Sequence, residues 1–331
     1  MFEFPVLVGD IGGTNARFGL IETKGGAPRI LTHEPTKGHP TPSDAIRASL
    51  KASGAPAPRS AILAIAGRVD APEVRLTNAD WVIAGARIGE DFGLSRVSVV
   101  NDYVPVAAGA AGIGPHELTP IGPTIEAPLG TRLVLGPGTG YGAAALVPYE
   151  DRLAIVSTEA GHTDFGASDA QDEEIWPAIE RIEGRVTIEA LLSGPGLSRL
   201  HAAIRKVRTG GDGSFVDPAR ITETGLSGED PCAREAIEMF GKLLGRSCGN
   251  LALTFLATGG VYIGGGIAPR ILDVLNEGVF RRAFEHKPPF AAMMRKVPTS
   301  VITVHDPALH GLAALASESG RFVYHGQVWT A

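Results

Sequence analysis

A glycine-rich bend between two apolar runs, at residues 6–21, carries the first residues suited to chemistry. Its backbone can approach an anion because glycine has no Cβ, and neighbouring neutral side chains can donate hydrogen bonds. The residues concerned are Gly12, Gly13, Thr14 and Asn15. Asp10, at the end of the first run, supplies a carboxylate that can hold Mg²⁺ or its water shell. The pattern predicts a strand, a phosphate-binding turn and a strand, with an ordinary glycine-rich hairpin as the alternative.

Two further glycine-rich bends follow. Residues 131–147 repeat the order of apolar run, glycine turn and apolar run, with Gly138 and Thr139 in the turn. Two such hairpins indicate an internally duplicated fold whose halves face one nucleotide. Residues 261–270 predict a strand, a bend and a helix, and the bend contains Gly264, Gly265 and Gly266. This backbone could lie against a flat ring or a phosphate, or the glycines could only bring helix and strand close together.

A strand predicted at residues 97–101 ends in Asn101 and Asp102, and an alanine-rich helix follows at once. In open α/β sheets, functional groups gather at the carboxyl ends of strands, so the Asp102 carboxylate is well placed to face a cleft. Asp and Asn are also common helix caps, and a plain cap is the alternative interpretation.

A polar turn after the strand at residues 153–157 gathers Glu159, His162 and Asp164. These groups could hold a metal or accept hydrogen bonds from a polyhydroxyl ligand, and their spacing leaves both interpretations open. Glu189 lies in a short predicted helix, where a first-turn position behind a Thr187 cap also explains it. A loop after a short strand carries Asn78.

The remaining pattern alternates helices and strands, which indicates an α/β protein. Helices are predicted at residues 41–54, 87–92, 170–183, 197–207 and 231–257, and strands at 60–67 and 296–304. A turn is predicted at residues 193–196. The last helix is predicted to be capped by Asp306, with Pro307 at its first position.

Composition limits the class of partner. The chain has 331 residues, enough for two domains that each have a core. Hydrophobic residues at 44% and charged residues at 20% are typical of a soluble globular protein rather than a disordered one. The net charge is −6 and no basic run is visible, so nucleic acid is not expected as a partner.

The cysteines, the N-terminal residues and the uncharged stretch at residues 248–269 together favour a cytoplasmic protein. Cys232 and Cys248 are too few and too far apart for a zinc site. No basic segment followed by an apolar core opens the chain, so no secretory signal is expected. Residues 248–269 are uncharged, but six glycines interrupt them, and a membrane span is not expected there.

Five motifs occur in one order: Asp10-Ile-Gly-Gly-Thr-Asn, Asn101-Asp102, Glu159-Ala-Gly-His162, Glu189 before Ser-Gly-Pro-Gly, and Val261-Tyr-Ile-Gly-Gly-Gly. Each is weak alone, but the ordered set closely resembles the bacterial glucokinase family, nearly end to end. That family comprises ATP-dependent hexokinases of the actin-like ATPase and sugar-kinase superfamily. Ala160 stands where some relatives carry Gly, while Glu159 and His162 keep their spacing.

The resemblance implies a two-domain α/β architecture, the actin-like (ribonuclease H-like) ATPase fold, with a nucleotide and sugar cleft between the domains. Residues 1–112 would form a small α/β domain, completed by a C-terminal helix at 306–331, and residues 113–305 a large α/β domain. The implied reaction transfers the γ-phosphate of ATP to the 6-hydroxyl of glucose, giving glucose 6-phosphate and ADP. Family members are commonly homodimers.

The resemblance also implies a role for each motif residue, with ATP, glucose and Mg²⁺ bound. Asp102 would be the general base that accepts the proton of the 6-hydroxyl. Residues that would contact glucose are Asn78, Asn101, Asp102, Glu159, His162 and Glu189. Asp10 would organise Mg²⁺, largely through water and the ATP phosphates. Residues that would surround the nucleotide are Gly12, Gly13, Thr14, Asn15, Gly138, Thr139, Gly264, Gly265 and Gly266.

Other classes of protein share parts of the pattern. A kinase for another hexose fits every motif. An NAD-dependent oxidoreductase would use residues 138–143 as Gly-x-Gly-x-x-Ala, but that fingerprint opens a helix and the residues after it predict a strand. A non-kinase actin-like ATPase explains the phosphate turns but not a polar cluster sized for a hexose. A sugar-responsive regulator needs a DNA-binding module, which is not expected because the chain begins at its first phosphate turn.

Overall fold

A computed structural model describes residues 1–76, 80–318 and 320–331 as a mixed α/β protein. The chain forms two compact units. Unit 1 contains Met1–Ile113, Ala144–Ser157 and Val304–Ala331, and unit 2 contains Gly114–Ala143 and Thr158–Thr303. No helix in the described ranges is long and apolar enough to cross a membrane.

The strands of the described chain are β1 Val6–Ile11, β2 Asn15–Ile21, β3 Arg29–Pro35, β4 Ser60–Ile65, β5 Glu73–Arg75, β6 Val82–Ala84, β7 Arg96–Asn101, β8 Leu118–Pro120, β9 Arg132–Pro137, β10 Tyr141–Tyr149, β11 Arg152–Thr158, β12 Gly260–Ile263, β13 Thr299–Ile302, β14 Phe322–Tyr324 and β15 Gln327–Thr330. Its α-helices are α1 Pro42–Ser53, α2 Gly85–Phe92, α3 Tyr103–Ala110, α4 Ala170–Ile175, α5 Ile188–Leu191, α6 Gly194–Thr209, α7 Pro218–Ser227, α8 Pro231–Thr254, α9 Leu272–Val274, α10 Phe280–Glu285, α11 Ala291–Met294 and α12 Pro307–Ser317.

Unit 1 is built on a six-stranded sheet with the order β15-β7-β4-β1-β2-β3. Strands β1, β4 and β7 run parallel, and the register places Asp10 beside Ala64 and Ala64 beside Val100. The carboxyl ends of β1 and β7 therefore lie at the same edge, with one strand between them. Because neighbouring strands are about 4.8 Å apart, Asp10 and the end of β7 are separated by roughly 10 Å across the sheet.

Helices α3 and α12 of unit 1 pack against each other through glycine. A Cβ built on Gly311 would lie only 1.7 Å from the carbonyl oxygen of Pro105, and one built on Gly109 would lie 3.1 Å from that of Pro307. Backbone therefore contacts backbone at this crossing. A side chain at position 311 has no space, so the helix pair depends on glycine there.

Unit 2 contains a sheet in which β9, β12, β13 and β8 are neighbours in that order, with β12 parallel to both β9 and β13. Its core is organised around α8, whose 24 residues begin at Pro231 behind the cap residue Asp230. Asp230 accepts hydrogen bonds from the N–H groups of Cys232 and Ala233, which explains why this helix starts there.

Three predicted elements differ from the structure in extent or in type. The helix predicted at 170–183 ends at Ile175, because Pro177 cannot continue it and a 3₁₀ turn follows. The turn predicted at 193–196 is instead the first turn of α6, with Ser193 as its cap and proline accepted at the helix start. The C-terminal residues 306–331 are not all helical, since α12 ends at Ser317 and β14 and β15 follow.

Candidate active site

The first glycine turn is the predicted hairpin between β1 and β2. The N–H of Gly12 donates to the carbonyl oxygen of Asn15 at 2.9 Å and closes the turn. Behind it, Thr36 is buried and donates its N–H to Thr14 O and its hydroxyl to Gly13 O, each at 3.0 Å. The carbonyl groups of the turn are thus engaged from behind, while the side chains of Thr14 and Asn15 are exposed.

Asp10 faces Arg17 across the same hairpin, because the two residues are directly opposite in the register of β1 and β2. Arg17 Nη1 lies 3.5 Å from Asp10 Oδ2 and 3.3 Å from Asp306 Oδ1. Burial raises the pKa of Asp10 above its ordinary value; the Arg17 guanidinium opposes this shift and the Asp306 carboxylate adds to it. The ionised form of Asp10 is therefore unfavourable in the folded protein without ligands.

Asp10→Asn is expected to increase the free energy of unfolding of the ligand-free protein at pH 7. A carboxyl group whose pKa is raised in the folded state contributes stability that is fully present below the unfolded pKa of about 3.9 and is lost as pH rises through the folded pKa. The gain of the variant should therefore be seen at pH 7 and disappear near pH 4. Urea unfolding in EDTA at the two pH values tests this.

The matched control for that experiment is Asp70→Asn, which changes an exposed carboxylate of unit 1 beside Arg68. It is expected to show little change in stability at either pH. A lower free energy of unfolding for Asp10→Asn than for the wild type at pH 7 would contradict the account of the buried carboxylate.

Asp102 stands at the start of α3, directly after β7, and its side chain makes no capping hydrogen bond. The plain-cap interpretation is therefore wrong for Asp102. Its backbone N–H donates to Ile65 O at 2.9 Å. Asn101 fixes the same bend, because its amide nitrogen donates to Gly67 O at 3.1 Å and its amide oxygen accepts from Tyr103 N–H at 3.0 Å. The ends of β4 and β7 hold Asp102 at the sheet edge.

The second glycine turn, in unit 2, is also the predicted hairpin, between β9 and β10. The N–H of Gly138 donates to Gly140 O at 2.8 Å, and the N–H of Gly194 donates to Gly138 O at 2.9 Å. Thr139 is exposed at the tip. The residues after the turn form β10 rather than a helix, so residues 138–143 lack the context of a dinucleotide fingerprint.

Glu189 is connected to this hairpin by a bond that the sequence did not suggest. Its Oε2 accepts the N–H of Tyr141 at 2.7 Å, and a Cβ on Gly140 would lie 2.5 Å from the same oxygen. The predicted Thr187 cap is also present, because Thr187 Oγ1 accepts from Ala190 N–H at 3.2 Å. Glu189 thus reaches past its own helix to the second hairpin.

Tyr141 is the residue that sequence reasoning missed. It is buried, its hydroxyl contacts Ser247 Oγ on α8 at 2.9 Å, and a Cβ on Gly161 would lie 2.4 Å from its carbonyl oxygen. It therefore joins the second hairpin, Glu189 and the turn that contains Gly161. A glycine on each side of this junction was the available signal, since side chains at 140 or 161 would prevent it.

Glu159 precedes a 3₁₀ turn and His162 is its last residue, and 47% and 60% of their side chains are exposed. Glu159 Oε2 lies 3.9 Å from His162 Nε2. Asp164 pairs with Arg185 Nε at 2.8 Å. In the described ranges no group of three or more His, Cys, Asp or Glu side chains could hold a metal ion, so the polar turn is not a metal site of that kind.

The three successive glycines after β12 have different environments. Gly264 donates its N–H to Leu135 O at 2.7 Å, and a Cβ on Gly136 would lie 2.1 Å from Gly264 O. Gly265 has a φ of +82°, and its Cβ would lie 2.2 Å from Pro137 O. Gly266 is exposed and has open space around it. Glycine is thus required at positions 136 and 265, where the backbone of the bend meets the backbone of β9.

The predicted residues fall into separate groups within the units. Unit 1 brings Asp10, the first hairpin and Asp102 to one sheet edge, and unit 2 brings Glu189 to the second hairpin through Tyr141. Asn78 lies outside the described residues.

Comparison with known proteins gives one consistent result. The sequence model of the family described as Glucokinase matches residues 7–319. The chain is 44% identical over 324 residues to a glucokinase of Brucella suis biovar 1, which covers 97% of this chain and 93% of that protein. The crystal structure of a glucokinase from an Antarctic psychrotroph is similar with a TM-score of 0.81 at 31% identity, over 96% of this chain and 100% of that one.

A more distant structure supports the same fold. It is a ROK family glucokinase from Streptomyces griseus, solved in complex with glucose and AMPPNP. The TM-score is 0.62 at 22% identity, over 95% of this chain and 99% of that chain. Similarity at this level shows the actin-like fold and nothing further.

Proposed function

This chain belongs to the glucokinase family, and from that premise we propose that it transfers the γ-phosphate of ATP to the 6-hydroxyl of glucose with Asp102 as the general base. The observation that carries the proposal is the edge of the unit 1 sheet, where β1, which contains Asp10, and β7, which Asp102 follows, run parallel with one strand between them. The two strands are roughly 10 Å apart across the sheet, which leaves room for a phosphoryl group and an attacking hydroxyl.

The general base is the catalytic group that the protein itself would supply. Asp102 would accept the proton of the 6-hydroxyl as that oxygen attacks phosphorus, and the products would be glucose 6-phosphate and ADP. One feature supports the assignment: Asn101 and Ile65 O hold the backbone around Asp102. A fixed base needs no reorganisation when the sugar arrives.

The sugar would be held by hydrogen bonds to its other hydroxyl groups. The residues proposed for this role are Asn78, Asn101, Glu159, His162 and Glu189. Exposure of Glu159 and His162 supports their availability, and Glu189 keeps acceptor capacity beyond its bond to Tyr141. A site of this kind rejects a sugar with a missing or inverted hydroxyl, because a buried polar group is then left unpaired.

The residues near the first hairpin fit Mg²⁺ that is bound mainly by nucleotide and water. Mg²⁺ commonly keeps several waters and binds one or two carboxylates plus substrate phosphates, and Asp10 offers such a carboxylate. When bound, the ion neutralises charge on the β- and γ-phosphates. Gly12, Gly13, Thr14, Asn15, Gly138 and Thr139 are proposed around the phosphates, and Gly264, Gly265 and Gly266 beside the adenosine. Packing against Pro137 O explains Gly265, while Gly266 has open space around it.

We also propose that residues 1–112, completed by 306–331, form a small domain and that residues 113–305 form a large domain. We further propose that the protein is a homodimer located in the cytoplasm. The dimer is tested by light scattering on the purified protein, where the mass of one chain, 34.5 kDa, would contradict it.

Glu189→Gln is expected to raise the KM for glucose by about ten- to a hundredfold, because hydrogen bonds to charged groups contribute roughly 1.5–3 kcal/mol. The Gln oxygen can still accept the N–H of Tyr141, so the KM for ATP should change much less. Steady-state kinetics with each substrate varied in turn gives both values.

Glu223→Gln is the control for this measurement, since Glu223 is exposed on α7 and pairs with the exposed Arg220. It should leave both KM values unchanged. An unchanged glucose KM in Glu189→Gln would remove Glu189 from the sugar site.

A further inference from the structure

Asp306 occupies the position before α12, but its side chain does not cap this helix. Its backbone lies in the left-handed region, with φ 50° and ψ 52°, and its side chain makes no capping hydrogen bond. This conformation is uncommon outside glycine, although Asp and Asn tolerate it best. The capping predicted from the sequence is therefore wrong, and the helix gives no reason for an Asp at this position. Such an outlier points to a role elsewhere.

The Asp306 carboxylate contacts the first phosphate hairpin instead. Asp306 Oδ1 lies 3.3 Å from Arg17 Nη1, and the same nitrogen lies 3.5 Å from Asp10 Oδ2. The two carboxylates are mostly covered, with 22% of the Asp10 side chain and 21% of the Asp306 side chain exposed. One guanidinium is thus shared by two acidic groups.

Without a competitor, Arg17 would pair with Asp10 alone. Directly opposite residues of antiparallel strands have Cβ atoms about 5 Å apart, so a cross-strand ion pair forms by default. The observed 3.5 Å contact is longer than the roughly 2.8 Å of a charge-assisted hydrogen bond. The nitrogen is shared with Asp306, and Asp10 is only loosely paired.

We propose that Asp306 is a positioning residue that holds Arg17 between two carboxylates and so prevents Arg17 from closing onto Asp10. Asp10 then keeps an oxygen for the Mg²⁺ of Mg-ATP or for its bound water. The inference rests on the proposed function in one respect, the role of Asp10 toward Mg²⁺. Its consequence is that the Mg²⁺-dependent part of nucleotide affinity depends on Asp306 through Arg17.

The test measures binding rather than turnover. The affinity of AMPPNP is measured by calorimetry in Mg²⁺ and in EDTA, and the ratio of the two affinities is compared among variants. Asp306→Asn removes the charge while keeping a side chain that tolerates the left-handed backbone. The ratio is expected to fall about tenfold, within the range of coupling between contacting charges.

A double-mutant cycle separates positioning from a general charge effect. In an Arg17→Gln background, Asp306→Asn should leave the ratio unchanged, because the residue through which it acts is gone. Glu318→Gln, which removes a carboxylate at the other end of α12, should also leave the ratio at the wild-type value. If Asp306→Asn does not fold, Asp306→Gly takes its place, since glycine accepts the same backbone conformation.

Each remaining outcome overturns a defined part of the account. The positioning role alone is overturned if Asp306→Asn keeps the Mg²⁺-to-EDTA affinity ratio within about twofold of the wild-type value. It is also overturned if Asp306→Asn lowers this ratio by the same factor in the Arg17→Gln background as in the wild-type background. A wild-type protein whose AMPPNP affinity does not depend on Mg²⁺ overturns the role of Asp10 in the proposed function, and this inference fails with it.

Discussion

Asp102→Asn is expected to lower kcat about a thousandfold, because a positioned general base contributes roughly 10²- to 10⁴-fold. Asn has nearly the same size and shape but cannot accept the proton of the 6-hydroxyl. The backbone bond from Asp102 to Ile65 O and the side-chain bonds of Asn101 do not involve the Asp102 carboxylate. The fold and the affinity for glucose should therefore be retained within a few-fold.

Single-turnover kinetics and calorimetry with glucose separate the two effects. Asp151→Asn, a highly exposed carboxylate of unit 1, is the control and should behave as the wild type. Near-normal turnover in Asp102→Asn would rule out the base. Loss of glucose binding together with turnover would make Asp102 a sugar ligand first.

Gly311→Ala is expected to lower the free energy of unfolding by roughly 3 kcal/mol, at the upper end of overpacking costs. The added Cβ would lie 1.7 Å from Pro105 O, so the backbones of α3 and α12 must separate. Relief by a rotamer change is not available, because alanine has no alternative rotamer and Pro105 O belongs to the backbone. The measurement is the urea midpoint of the variant against wild type.

Gly85→Ala provides the matched control for Gly311→Ala. Gly85 is also a buried helical glycine of unit 1, but a Cβ there would meet Val97 Cγ1 at an ordinary 3.7 Å. Its stability should change by less than about 1 kcal/mol. Equal stability of the two variants would contradict the close helix crossing.

The sequence pattern predicted those elements of the fold that depend only on residues close together in the chain. Both glycine hairpins, the cap Thr187 and the strand that ends at Asn101 are present where the sequence places them. Each depends on residues only a few positions apart, so their types and spacing are enough. The error at Pro177 is of the same local kind, since proline there should have ended the predicted helix.

Contacts between distant parts of the chain could not be predicted in this way. Asp306 resembles a cap in sequence, and only the fold brings it to Arg17. Tyr141 resembles any buried strand residue, yet its backbone N–H binds Glu189. The catalytic assignments remain predictions about residues, while the family and its fold follow from similarity over nearly the whole chain.

The most direct test of the central claim is ADP release by the purified protein with Mg-ATP, in the presence of glucose, mannose, fructose, N-acetylglucosamine or no sugar. The account predicts ADP release with glucose, little with the other sugars or without sugar, and loss of release in Asp102→Asn. Release with only another hexose would change the substrate. Equal release with every sugar and with none would contradict the account, because the protein would then be an ATPase without a sugar acceptor.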